Sequence, residues 1–312
     1  MGAAVSGQQQ PTFLLGGTSA GGTSFLSALL IQHPEVYLPR EMRPEPHFFY
    51  KSWEYARGFG YYLDRWFSDV PEHSVAIGER SSSYLYGGES TAARIVRHLP
   101  EVRMVFVLRD PVQRAWANYR YTVLEGLEDL DFETALETEH KRVRAASGIW
   151  AEIQPHDYSG RGFYGQQLTD FLGHFDRSRI LVLKSENLRD DTDRALGEIC
   201  TFLGLEFRLE AMERPPDYTS VSVVDPRVQT RARSSLGDRF DLVVEAVRDG
   251  TDPFRFSSSE SEHGVISDLK GNLSDDKWPI PDGARSILQK KYEDDLAVLA
   301  RLVDFDVSDW MA

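Results

Sequence analysis

The stretch Pro11-Thr12-Phe13-Leu14-Leu15 followed by Gly16-Gly17-Thr18-Ser19-Ala20-Gly21-Gly22-Thr23-Ser24 constrains the fold more than any other part of the chain. A short apolar run that stops at two glycines reads as a buried strand entering a turn. Directly afterwards Phe25, Leu26, Leu29 and Leu30 recur at helical spacing until His33-Pro34 ends the pattern. A glycine loop between a core strand and a helix points backbone amides and a helix N-terminus at one place, which makes an anion cradle. The structural alternative is a plain strand-to-helix turn, and the Thr and Ser hydroxyls that accompany the glycines weigh against it. A nucleotide-triphosphatase loop would carry lysine after Gly21, where this chain has Gly22, so ATP or GTP hydrolysis is disfavoured.

Two further apolar runs, Val102 to Leu108 and Ile180 to Leu183, read as core strands, and Pro111 suits a first helical turn. Helical spacing covers Tyr164 to Phe175 and Thr192 to Leu203, and strands alternating with helices imply a parallel sheet covered on both faces. The predicted fold is α/β, three-layered and P-loop-like, as one domain over residues 11–312 behind a disordered 1–10. Between Leu236 and Pro281 the glycines, prolines and Ser257 to Ser259 read as an irregular insertion, either plain surface loop or a lid. From Gly283 onward Ile287, Leu288, Tyr292, Leu296, Leu299 and Leu302 mark an amphipathic helix that closes the chain near Trp310.

Composition narrows the function. A net charge of −14 sets the mean surface field against nucleic acid and other polyanions. The single cysteine, Cys200, cannot form an internal disulfide and lies in an apolar run that predicts a buried thiol. Met1 to Gln10 carries neither a basic nor an apolar leader segment, and no run approaches 18 apolar residues, so a cytoplasmic protein without membrane insertion is expected. Oligomeric state is left open.

Four later segments speak with the glycine loop. They are Arg43-Pro44-Glu45-Pro46-His47-Phe48-Phe49, Gly78-Glu79-Arg80-Ser81-Ser82-Ser83-Tyr84, Leu108-Arg109-Asp110-Pro111-Val112-Gln113-Arg114-Ala115, and Ser159-Gly160-Arg161-Gly162-Phe163-Tyr164. In this order the five segments resemble the sulfotransferase family that uses 3′-phosphoadenosine 5′-phosphosulfate, most closely its bacterial and heparan-sulfate-type branch. The likeness covers roughly residues 11–205 and resumes at the C-terminal helix.

The resemblance implies a donor nucleotide and no metal. It puts the 5′-phosphosulfate on Thr18, Ser19, Ala20, Gly21, Gly22, Thr23 and Ser24, the 3′-phosphate on Arg109, and the acceptor base at Glu45. The chemistry of each residue type agrees, since amides and hydroxyls suit a dianion, guanidinium binds phosphate bidentately and a carboxylate accepts a hydroxyl proton. His47 is either the base instead or a structural hydrogen-bonding group. Arg161 either borders the nucleotide or positions the next helix.

Two departures stand out. Relatives carry Lys or Arg where this chain has Ser19, a cation that stabilises the leaving oxygen; they also carry a serine where this chain has Ala117. Arg80, in the place of a basic residue near the acceptor and followed by Ser82 where relatives have proline, is the candidate replacement cation; its alternative is an ordinary ion pair. Asn118 or Arg114 are candidates for the role of the missing serine. One of Arg227, Arg231 and Arg233 either meets the 3′-phosphate or belongs to a solvated basic face. Tyr84, Tyr86, Trp116, Tyr119 and Tyr121 read as packing.

Three functions follow: a sulfotransferase acting on a hydroxyl of a small molecule, lipid or sugar, a homologue of the same fold that has lost donor use, and a P-loop kinase or nucleotidase.

Overall fold

The structure is a computed structural model and describes residues 9–40, 44–207, 213–215, 221–276 and 278–311. Most of the terminus expected to be disordered, and Arg43, lie outside the described residues.

The first half of the chain runs β1 (Phe13–Gly17), α1 (Thr23–Leu30), β2 (Val36–Tyr37), α2 (Ser52–Tyr55), α3 (Phe59–Trp66), β3 (Ala76–Arg80) and α4 (Gly88–His98). It continues through β4 (Arg103–Leu108), α5 (Pro111–Leu124), α6 (Phe132–Ala145), α7 (Trp150–Ile153), α8 (Tyr164–Leu172) and β5 (Ile180–Lys184). Then come α9 (Ser185–Asp190), α10 (Thr192–Leu203), β6 (Ser222–Val223), α11 (Pro226–Leu236), α12 (Phe240–Arg248), α13 (Glu262–Gly271), β7 (Leu273–Ser274) and α14 (Asp282–Leu299). Among the described residues no helix is long and apolar enough to cross a membrane.

The chain divides into two compact units: residues 1–114, 160–216 and 291–312 form the first, and 115–159 and 217–290 the second. Two of the four boundaries, 114/115 and 290/291, fall inside α5 and α14, so no break in helical pattern marks them.

The first unit is built on a five-stranded parallel sheet of order β2-β3-β1-β4-β5. On one face Leu26, Leu29 and Leu30 of α1, Leu188 of α9 and Leu196, Ile199 and Cys200 of α10 pack with Phe13, Leu15, Val105 and Val107 in one apolar cluster. The thiol of Cys200 is buried there, as its apolar run predicts. On the other face Phe106 of β4 meets Phe171 of α8 edge-on at 5.0 Å. Each strand in the middle of the sheet is buried on both sides, which is why β1 and β4 read as continuous apolar runs.

Strand β3 escapes that reading. Its residues Ala76-Ile77-Gly78-Glu79-Arg80 are all buried, yet two of the five are charged, so nothing in their polarity marks a core strand.

The second unit holds α6, α11, α12, α13 and the antiparallel pair β6–β7. The segment 236–281, expected to be irregular, carries α12, α13 and β7. Helix α12 buries Phe240, Val243, Val244 and Ala246 at i, i+3, i+4 and i+6, a stripe obscured in the sequence by the surrounding Gly, Pro and Ser. Arg239, immediately before it, forms a bidentate pair with Glu262 at the start of α13, at 2.6 and 2.7 Å.

Candidate active site

Ligand crevices of open parallel sheets lie at the carboxyl ends of the strands, where the chain order reverses. Here β1 is flanked by β3 and β4, and the ends of these three strands carry Gly17, Arg80 and Arg109.

The loop after β1 is shaped by its glycines. Gly17 has φ 127°, and a Cβ there would stand 2.3 Å from the Val107 carbonyl oxygen, so only glycine lets the loop lie on β4. The Gly21 amide donates to the Thr18 carbonyl at 2.9 Å, closing the turn, and Gly22 at φ 106° leads into α1 without a side-chain cap. Ala20 also takes a left-handed φ of 63°. The first amides of α1 have no intrahelical partner, so Thr23 and Ser24 present N–H groups at the positive end of the helix dipole.

Arg109, just past β4, donates to the Ala20 carbonyl oxygen at 3.3 Å and so lies against this loop. Its surroundings include Arg189, Glu186 and Asp110, and burial pushes its pKa down. Tyr164 at the start of α8 is fully buried beside Thr18, Arg114, Asp110 and Arg109, and burial holds its hydroxyl protonated. Ser185, at the end of β5, approaches from the other side: its hydroxyl would be 3.1 Å from a Cβ on Gly22. Ser185, Glu186 and Arg189 sit in no motif of the sequence; the rule that sites gather at strand ends, applied to β5, points to them.

The segment after α1 brings in the second group. Glu45 Oε2 accepts from the Ser82 amide and the Ser82 hydroxyl, both at 2.8 Å. Glu45 Oε1 faces Arg80 Nε at 3.3 Å, and His47 Nε2 stands 3.4 Å from Oε2. Arg80 also donates through Nη1 to the Ser24 hydroxyl, which ties the carboxylate to the glycine loop. Glu45, His47 and Arg80 are therefore one cluster, although 35 residues separate the first from the last in sequence.

His47 is held neutral. Burial pushes its pKa down to about 3, and Lys51, Arg161 and Arg80 add to the depression. A neutral imidazole has one N–H and one lone pair. Nδ1 lies 2.7 Å from the Ser83 hydroxyl and Nε2 faces the Glu45 carboxylate, so the favourable tautomer carries its proton on Nε2 and accepts the Ser83 hydrogen on Nδ1. That arrangement leaves the imidazole no lone pair for a substrate proton.

Arg161 stacks over Tyr86 with its guanidinium carbon 4.1 Å from the ring centroid, and it acts electrostatically on His47. It belongs with the Glu45 cluster in space.

Residues 10–224 match the sulfotransferase domain family, which is more than half of the chain. The chain belongs to the sulfotransferase family. It is 31% identical over 199 residues to human heparan sulfate glucosamine 3-O-sulfotransferase 3B1, covering 64% of this chain and 47% of that protein. It is 27% identical over 203 residues to the mouse bifunctional heparan sulfate N-deacetylase/N-sulfotransferase 4, covering 62% of this chain and 22% of that one. The chain thus spans about half the length, or less, of these relatives. In three dimensions it is similar to a sulfotransferase from Alicyclobacillus acidocaldarius, with a TM-score of 0.68, 22% identity, and coverage of 97% of this chain and 100% of that one.

Within this family member, the late arginines and Ala117 fall in the second unit. Arg233 donates to the Glu125 carbonyl at 2.8 Å and to Asp241 at 3.2 Å, and it stacks on Phe240, so it is a structural residue of that unit. Arg227 and Arg231 are exposed on α11, and Arg231 borders a surface hollow with Asp268. Asn118 donates to the Thr122 hydroxyl at 3.4 Å within α5. Tyr84, Trp116 and Tyr119 are buried as packing residues, whereas Tyr121 is exposed. Among the described residues no group of His, Cys, Asp and Glu is arranged to hold a metal.

Proposed function

We propose that this chain transfers a sulfuryl group from 3′-phosphoadenosine 5′-phosphosulfate to a hydroxyl of a small molecule, lipid or sugar. The observation that carries the reading is the bridge made by Arg80, whose guanidinium bonds Ser24 of the anion loop and pairs with Glu45. It sets a cation between the place where a phosphosulfate would sit and the carboxylate that would take the acceptor proton.

In the proposed reaction Thr18 to Ser24 hold the 5′-phosphosulfate and Arg109 holds the 3′-phosphate. The acceptor oxygen bonds to sulfur in line as the bond from sulfur to the phosphate oxygen breaks. Glu45 takes the acceptor proton, and adenosine 3′,5′-bisphosphate leaves with the charge that Arg80 and the loop amides stabilise. His47 orients Glu45 through Nε2–H, and Arg161 lines the acceptor side. Rate enhancement comes from positioning and preorganised charge. The net charge of −14 argues for an acceptor other than the heparan sulfate of the named relatives, because a polyanion would meet a repelling field.

Ser19 favours a second reading, in which the fold binds another ligand without transfer, because a hydroxyl in that loop position supplies no cation. Calorimetry with adenosine 3′,5′-bisphosphate, followed by transfer from labelled donor to a panel of hydroxyl acceptors, separates the two. Micromolar binding with label transfer supports the enzyme; no binding at millimolar nucleotide supports the second reading.

A further inference from the structure

Glu79 ends strand β3 beside Arg80 and is fully buried. Its Oε1 accepts the Tyr62 hydroxyl at 3.2 Å and the Tyr84 hydroxyl, and its Oε2 accepts the Ser81 hydroxyl at 2.9 Å. Ser81 Oγ in turn accepts the main-chain N–H of His47 at 2.8 Å. An unbroken chain of hydrogen bonds therefore runs from the interior carboxyl to the backbone of the residue that faces Glu45.

That backbone is in an unusual state. His47 has φ 47°, in the left-handed region, which costs a residue with a side chain on the order of 1–2 kcal/mol. Such conformations persist where the surroundings over-determine them, and they gather at functional sites. Here the His47 peptide is gripped from both sides: Ser81 takes its N–H, and its carbonyl accepts the amides of Tyr50 and Lys51 at 3.1 and 2.9 Å. With the main chain so fixed, the ring meets Ser83 and Glu45.

We propose that Glu79 is a positioning residue for the acceptor base: acting through Ser81, its carboxyl holds the His47 main chain in the left-handed conformation that turns the imidazole onto Glu45. The catalytic consequence rests on the proposed sulfuryl transfer; the conformational one does not.

The groups that face Glu79 are Tyr62 from α3, Tyr84 and Ser81 from the turn after β3, and Glu45 from the preceding loop. Phe48 stacks on Tyr62 at 4.5 Å and Phe49 meets both Tyr62 and Tyr84, so the surroundings are otherwise apolar. Burial raises the Glu79 pKa to about 7 against the three hydroxyl hydrogen bonds, and the charge on Glu45 raises it further.

The test uses Ser81→Ala, Glu79→Ala and the conservative Glu79→Gln in the protein with 15N-labelled imidazoles. Ser81→Ala removes the middle link with little change in volume. It is expected to shift the His47 ring resonances and lower kcat by about tenfold or more, as small misplacements of a reacting group do, while KM for the donor stays put. Glu79→Gln keeps an acceptor for the Ser81 hydroxyl, so the ring resonances and kcat hold, whereas Glu79→Ala removes it and shifts the resonances as Ser81→Ala does. Ring resonances unchanged in Ser81→Ala or in Glu79→Ala overturn the inference, as does an unaltered kcat in Ser81→Ala. If the parent protein transfers no sulfuryl group, the functional reading fails alone, and the His47 resonances decide the positioning role by themselves.

Discussion

Arg80 Nε stands 3.3 Å from Glu45 Oε1, and the same guanidinium donates to Ser24 in the glycine loop. One side chain at the end of a central strand thus joins the two halves of the candidate site. Removing it should be costly in a particular way. Arg80→Ala is expected to reduce kcat by about 10² to 10³, the usual loss when one positioned electrostatic donor to a transition state disappears. Steady-state kinetics with labelled donor check this; a loss below tenfold would place the leaving-group charge elsewhere.

Because Arg80 is proposed to replace a loop cation, Ser19→Lys should raise kcat only slightly in the parent enzyme but recover about tenfold or more in the Arg80→Ala background. Comparing the four proteins in one double-mutant cycle measures the coupling. Additive effects would mean that the two positions serve different charges.

Arg109 lies against the loop through the Ala20 carbonyl. Arg109→Ala is expected to weaken adenosine 3′,5′-bisphosphate binding by about 10- to 100-fold, the worth of a hydrogen bond to a charged group. Titration calorimetry reads it directly. Arg109→Lys, which keeps charge without the planar fork, should recover only part.

Gly17 has no room for a side chain: a Cβ there would stand 2.3 Å from the Val107 carbonyl oxygen, at φ 127°. Gly17→Ala should destabilise the protein by about 2–4 kcal/mol through strain and overpacking and disrupt nucleotide binding with it. Denaturant unfolding measures the first and calorimetry the second.

The two shifted groups beside Glu45 act on stability in opposite directions. Glu79 is raised to about 7, so the folded state holds its proton more tightly than the unfolded state, and stability falls as pH rises from the ordinary carboxylate range through 7. His47 is lowered to about 3, so its contribution is full above the ordinary histidine value near 6.5 and is lost as pH falls toward 3. Glu79→Gln should therefore flatten the decline between about pH 4.5 and 7, by a few kcal/mol at most. Tm against pH for parent and variant shows it; parallel curves would mean that Glu79 keeps an ordinary pKa in the fold.

The sequence by itself determined the elements whose polarity follows their burial. Strands β1, β4 and β5 are buried along nearly their whole length, so apart from Arg103 and Lys184 at two strand ends they lack charged residues and can be recognised one at a time; α1 and α10 show the stripe that faces such a sheet, and α14 has an apolar stripe of its own. The loop Gly16 to Ser24 was legible because glycines in that setting answer a local backbone demand. The resemblance carried by the five segments also singled out Glu45, His47, Arg80 and Arg109 as candidates, within three short stretches of chain.

Only the tertiary structure decided how those residues act on one another. Strand β3 stayed hidden because it buries Glu79 and Arg80, and burial of charge is stable only with partners supplied from elsewhere: Tyr62, Tyr84 and Ser81 for one, Ser24 and Glu45 for the other. The neutral state of His47 likewise depends on burial and on Lys51, Arg161 and Arg80. The second unit, with helices in 236–281 and two of its four boundaries inside α5 and α14, leaves no break to read at those two positions. Apolar periodicity is a property of neighbours along the chain, whereas charge compensation and proton affinity are set by groups that meet only when the sheet brings its strand ends together.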